Sequence, residues 1–161
     1  MKVNKILIIL STLLVFILST GIASAAKPVI TADHTYFDIK SGQYILNGNV
    51  YIKVRNRIIT ASHARVNPAT LEVWGTGGIT VQQRDIHFTG DSVYVYGSRS
   101  QAKIDGGVNL SRSGLIISAD KADFNWRSKV AVFDGNVRVT QGNRKWTADS
   151  VSYNVDTDSF L

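Results

Sequence analysis

The chain has no cysteine, so disulfides contribute nothing and stability must come from buried apolar surface and backbone pairing. Helical spacing of apolar residues is absent outside an N-terminal apolar run, and no low-complexity tract or second domain breaks the chain. Acidic residues are outnumbered, with 12 Asp and Glu against 18 Lys and Arg, a formal charge of +6. Loss of Lys2 and Lys5 with a leader would leave +4. That excess favours a polyanionic partner such as phosphorylated lipid, though most of these cations are expected to solvate exposed strand faces. At 161 residues there is room for one domain or a short stack of repeats.

The leader is written in three parts. Lys2 and Lys5 are followed by apolar Ile6 to Ile22, then by the small residues Ala23-Ser24-Ala25. This order predicts a signal peptide over 1–25 with cleavage before Ala26, an uncleaved anchor being the alternative. Either outcome places the remaining chain outside the cytoplasm, in the periplasm, and makes nucleic acid an improbable partner.

From residue 30 onward the sequence repeats every 29 residues. Thr31-Ala32-Asp33, Thr60-Ala61-Ser62, Thr89-Gly90-Asp91, Ser118-Ala119-Asp120 and Thr147-Ala148-Asp149 keep that step without insertion, as do Gly48, Gly77, Gly106 and Gly135. The units start near 30, 59, 88, 117 and 146. Each unit alternates apolar with polar residues, which is the pattern of strands with one buried face. Ile30, Ile59, Phe88, Ile117 and Trp146 form one inward column, and Phe37, Val66, Val95, Phe124 and Tyr153 another. Tyr44, Val73, Ala102 and Ala131 make a third.

The alternation slips by one residue between Ala32 and Thr35, predicting a bulge or bend beside the aspartate column. The glycine column stays in phase, predicting a corner where the strand passes from one sheet to another. About three short strands per unit, stacked as two antiparallel sheets around an apolar interior, follow from these signals. Asn67-Pro68, Gly97-Ser98 and Arg127-Ser128 are expected turns.

Chemistry of the catalytic kind finds little support. His34 and His63 occupy equivalent positions and are expected about 4.8 Å apart, but two imidazoles fall short of a zinc site. The aspartates recur in one column with one role, which argues for structure rather than acid–base work. No Gly-x-Ser-x-Gly elbow is present, and Gly75-Thr76-Gly77-Gly78 precedes a strand rather than a helix. No enzyme, metal site or cofactor is expected.

The pattern Ile-Thr-Ala-Asp, an apolar strand, then Leu-Asn-Gly-Asn-Val resembles the OstA-like repeats of lipopolysaccharide transport. Ile30 to Asp33 with Leu46 to Val50, and Ile117 to Asp120 with Phe133 to Val137, carry the resemblance most closely, and Gly90 departs from it. The resemblance implies an all-β, V-shaped β-jellyroll that binds lipid A along its interior. It also implies end-to-end assembly, bridging an inner-membrane LptC-like partner to an outer-membrane LptD-like one in the Gram-negative envelope. The small periplasmic LptA type fits best. An anchored LptC-like component and a structural envelope β-solenoid without lipid cargo are the alternatives. Phe37, Tyr44, Phe88, Val95, Ile104, Ile117, Phe124, Trp126 and Phe133 are the candidate lipid-lining residues. Ile30, Phe160 and Leu161 are the candidate strand edges for partners or for head-to-tail self-association.

Overall fold

The alternation in each unit is realised as a pair of long antiparallel strands. The computed structural model describes residues 29–54 and 57–161. Along the chain run β1 (Val29–Thr31), β2 (His34–Asp38), β3 (Gln43–Val54), β4 (Arg57–Asn67), β5 (Glu72–Gln83) and β6 (Ile86–Tyr96). A 3-10 turn (Gly97–Arg99) leads into β7 (Gln101–Arg112), β8 (Leu115–Asn125), β9 (Val130–Gln141), β10 (Arg144–Asn154) and β11 (Ser159–Phe160). The fold is all-β, and in place of the two expected sheets there is one open antiparallel sheet in chain order, because the strands stay paired on both sides of the corner; β1 and β2 both pair with β3. Strands starting at Arg57, Ile86, Leu115 and Arg144 show that the repeat is a step of two strands. The three short strands expected per unit are thus two long ones, because backbone pairing resumes beyond the corner. The expected signal segment, 1–25, lies outside the described residues.

The corner joins the two repeated signatures into one device. Each long strand pair shifts register once at mid-length, for example between Asn47 and Val50 on β3 and between Asp105 and Val108 on β7. Gly48 and Gly106 turn these corners with φ of +74° and +80°, which a side chain would strain. The aspartate column lies directly over them. Asp33 donates its backbone N–H to the Gly48 carbonyl at 2.9 Å and accepts from Asn49 Nδ2 at 2.9 Å. Asp120 accepts from Asn136 Nδ2 at 2.7 Å, and Ser62 Oγ donates to the Gly77 carbonyl at 2.5 Å. A Cβ at Gly48 or Gly106 would collide with the carboxylate of Asp33 or Asp91.

One set of turns is closed by side chains. Asn67 Oδ1 accepts from the backbone of Ala69 and Thr70, Asn125 Oδ1 from Arg127 and Ser128, and Asn154 Oδ1 from Asp156 and Thr157. Asp38 does the same for Lys40 and also accepts from the Ser41 hydroxyl. These bonds, Ser41 first, lower the Asp38 pKa. In the third unit Tyr96 replaces the Asx residue, and the 3-10 turn takes over. Pro68, Gly97 and Trp126 all fall in this set of turns, so the proline interrupts no ladder.

The sheet folds over on itself. Phe88 on β6 and Phe133 on β9 stand three strands apart, at least about 14 Å on a flat sheet. Their rings are 6.4 Å apart. Arg112 on β7 meets Tyr153 on β10 with the same offset, so on β6 and β7 the half next to a tight turn faces the other, near half of the strand three places on. Between the two faces lie Ile79, Ile104, Val108, Leu110, Ile117, Phe133, Val137, Val139 and Tyr153, all buried. A smaller buried group, Leu46, Val50, Ile52, Ala64 and Val66, fills the N-terminal end.

Candidate functional site: the apolar interior and its rims

Two rims border the interior. The Asx-closed turns form one, and the tight turns after β5, β7 and β9 form the other. Inward positions between them are apolar because every second residue of each strand points the same way. The interior is not uniform along its length. In the last three units Ile117 and Phe133 are 0% exposed and Ile104 is 5% exposed, so side chains fill the space. In the first unit Phe37 is 46% exposed although it occupies an inward column. Its ring lies 4.8 Å from that of Tyr44, which is half-buried. The three-strand offset explains this asymmetry: the near halves of the first strands have no described strand opposite them.

Residues 116–159 match the family described as LptA/(LptD N-terminal domain) LPS transport protein. Among solved structures, the chain is similar to LptH, the LptA homologous periplasmic component of the conserved lipopolysaccharide transport device from Pseudomonas aeruginosa. The TM-score is 0.54 at 13% identity, over 61% of this chain and 75% of that one. At that identity the likeness concerns the fold. Together the two findings support an OstA-like, LptA-type family. No curated protein matches the chain.

In this LptA-type fold Phe88, Ile104, Ile117, Phe124 and Phe133 belong to the larger apolar cluster, Tyr44 packs on the smaller one with Phe37 against it, and the candidates differ in access. Phe37 is the most open, Tyr44, Phe88, Val95, Phe124 and Trp126 are half-buried, and Ile104, Ile117 and Phe133 are buried. Trp126 sits in an Asx-closed turn at the rim rather than in a strand. Of the edge candidates, Ile30 lies on β1 opposite Ile52, with no described strand on its other side. Phe160 pairs with Tyr153, and Leu161, 75% exposed, donates its N–H to the Ser152 carbonyl at 3.0 Å.

The histidines lie elsewhere. His34 and His63 both pair with Asn47, which stands between them, so two strand spacings, about 10 Å, separate them rather than one. His63 Nδ1 meets Asn47 Oδ1 at 3.1 Å on the outer face. Among the described residues no group of three or more His, Asp or Glu is placed to share a metal, and no helix is long and apolar enough to cross a membrane.

One polar cluster at the interior escaped the sequence reading. Arg112 lies on the inner face of β7 in phase with Val108 and Leu110, with its side chain 14% exposed. Its Nε and Nη2 meet Asp85 Oδ2 at 3.1 and 3.0 Å. Its Nη1 donates to Tyr153 Oη at 3.0 Å and to the Val155 carbonyl at 2.9 Å, and lies 3.7 Å from Asp158 Oδ1. The Tyr153 hydroxyl donates to Asp158. Burial first, then the Asp158 hydrogen bond, pushes the Tyr153 phenol up to about 12. The available signal was a charge on an inward column that carries Gln83 and Gln141 in the neighbouring units.

Proposed function

We propose that the chain is a periplasmic carrier for lipopolysaccharide, holding the acyl chains of lipid A against its inner face and passing them between membranes. The observation that carries this is the opening of the apolar inner surface at the first unit, where the Phe37 ring, 46% exposed, lies against the half-buried ring of Tyr44. Burying such rings against acyl chains is favourable at about 25 cal/mol per Å² of apolar surface. The strand edges at β1–β2 and at β10–β11 are the places for LptC-like and LptD-like partners, or a second copy, to add a strand. The family match and the fold support this reading.

Photocrosslinking in cells from Phe124, with the captured species identified by mass, tests it. Capture of lipopolysaccharide is the expected result. Capture of nothing but segments of the same chain would sink the carrier reading. It would favour a structural envelope stack without cargo, for which the filled interior around Ile117 and Phe133 speaks. The anchored LptC-like alternative differs at the N-terminus alone. Mass spectrometry of the mature chain decides it: a start at Ala26 excludes it, and retained Met1 supports it.

A further inference from the structure

The Arg112 cluster draws its members from both rims of the interior. Asp85 belongs to the turn between β5 and β6, on the same rim as the end of β7, whereas Val155 and Asp158 belong to the Asx-closed turn that follows β10. Two contacts hold the guanidinium to Asp85 on its own rim, and two more, from Nη1 to Tyr153 Oη and the Val155 carbonyl, tie it to the other across the mouth of the fold. A guanidinium has five N–H donors in a fixed plane, so satisfying two rims at once fixes their separation. The ring pair Phe88 and Phe133 belongs to the same apolar cluster as Tyr153, whose hydroxyl the bridge holds. The corresponding inward positions Gln83 and Gln141 carry no charge, and the mouth beside Phe37 has no described counterpart to the bridge.

We propose that Arg112 is a clasp across the two rims, and that acyl chains enter the stretch of interior beside Phe88 and Phe133 only when the clasp is released. The lipid part of this rests on the carrier reading above; the clasp part does not. Closed, the clasp keeps the last three units filled by their own side chains while the first unit stays accessible. An amphiphile arriving at Phe37 then advances only as the rims part.

The absence of cysteine makes the test direct, because cysteines placed at Ser113 and Asp156, exposed positions on opposite rims, take spin labels at those two sites alone. Pulsed electron–electron distances should be short and narrow in the otherwise unaltered chain. They should be longer and broader after Arg112→Gln and after Asp85→Asn. In parallel, a photoreactive residue replaces Phe88 or Phe37, and purified lipid A is the probe. Arg112→Gln should raise capture at Phe88 by about fivefold or more, the factor for a modest loss of closing energy, and leave capture at Phe37 unchanged.

Unchanged rim distances in both variants would overturn the clasp. Parted rims without increased capture at Phe88, while Phe37 still captures lipid A, would overturn its role as a gate. If neither position captures lipid A in any form, the carrier reading fails and the distances alone judge the clasp. Should Arg112→Gln not fold, Asp85→Asn, altering an exposed partner, carries both measurements.

Discussion

Tyr153 shows how a single side chain couples the interior to pH. Its phenol is raised from 10.0 to about 12, so between those values the unfolded chain loses a proton that the folded chain keeps. The stabilisation is full below pH 10 and is lost as pH rises through about 12. Denaturant titrations of the wild type and of Tyr153→Phe, taken across that window, should differ in slope, the phenylalanine variant lacking this tyrosine's share. Parallel slopes would mean that the phenol is not held protonated. Val108, 1% exposed beside the corner, makes a simpler case. Val108→Asp buries a carboxylate without a partner and should cost on the order of 3–5 kcal/mol. Thermal unfolding measures this, and full retention of wild-type stability would show that the column is not buried.

At the scale of the element, the corner is the feature on which the fold depends. Gly106 and Gly114 both have positive φ, +80° and +75°, but only Gly106 lies against a neighbour, Asp91. Ala at Gly114 should cost about 1–2 kcal/mol, the left-handed penalty alone. Ala at Gly106 should cost distinctly more, because the Asp91 carboxylate must also move. Equal costs in chemical denaturation would show that the aspartate does not brace the corner. The corner was legible in the sequence because a missing side chain and a parity slip are both local signals. Strand length was not, since nothing in the composition of Asn47 to Val50 tells whether backbone pairing ends at a bend or resumes beyond it. The separation of His34 and His63 was misjudged for the same reason: equivalent positions are neighbours only if each unit adds one strand, and here each adds two. The Arg112 cluster depends on a three-strand offset between facing halves, which no single unit encodes.

Across the whole molecule, stacked units contact only their neighbours and those facing them, so stability should vary along the stack rather than be shared evenly. The larger buried cluster spans β5 to β10, while β2 is exposed over His34 to Phe37. Hydrogen exchange should therefore be slowest in β8 and β9 and fastest in β1 and β2; uniform protection would contradict a graded stack. The same gradient places the accessible apolar surface at the N-terminal end, where the carrier reading puts first contact with lipid. Exposure alone is not the claim, because Ile116 is an apolar side chain on the outer face with the same 46% exposure as Phe37. The decisive measurement compares lipid A photocrosslinking from Phe37 and Tyr44 with that from Ile116 in purified protein. Capture from the two inward residues and background from Ile116 is the predicted result, and equal capture from all three positions would contradict an interior that carries lipid.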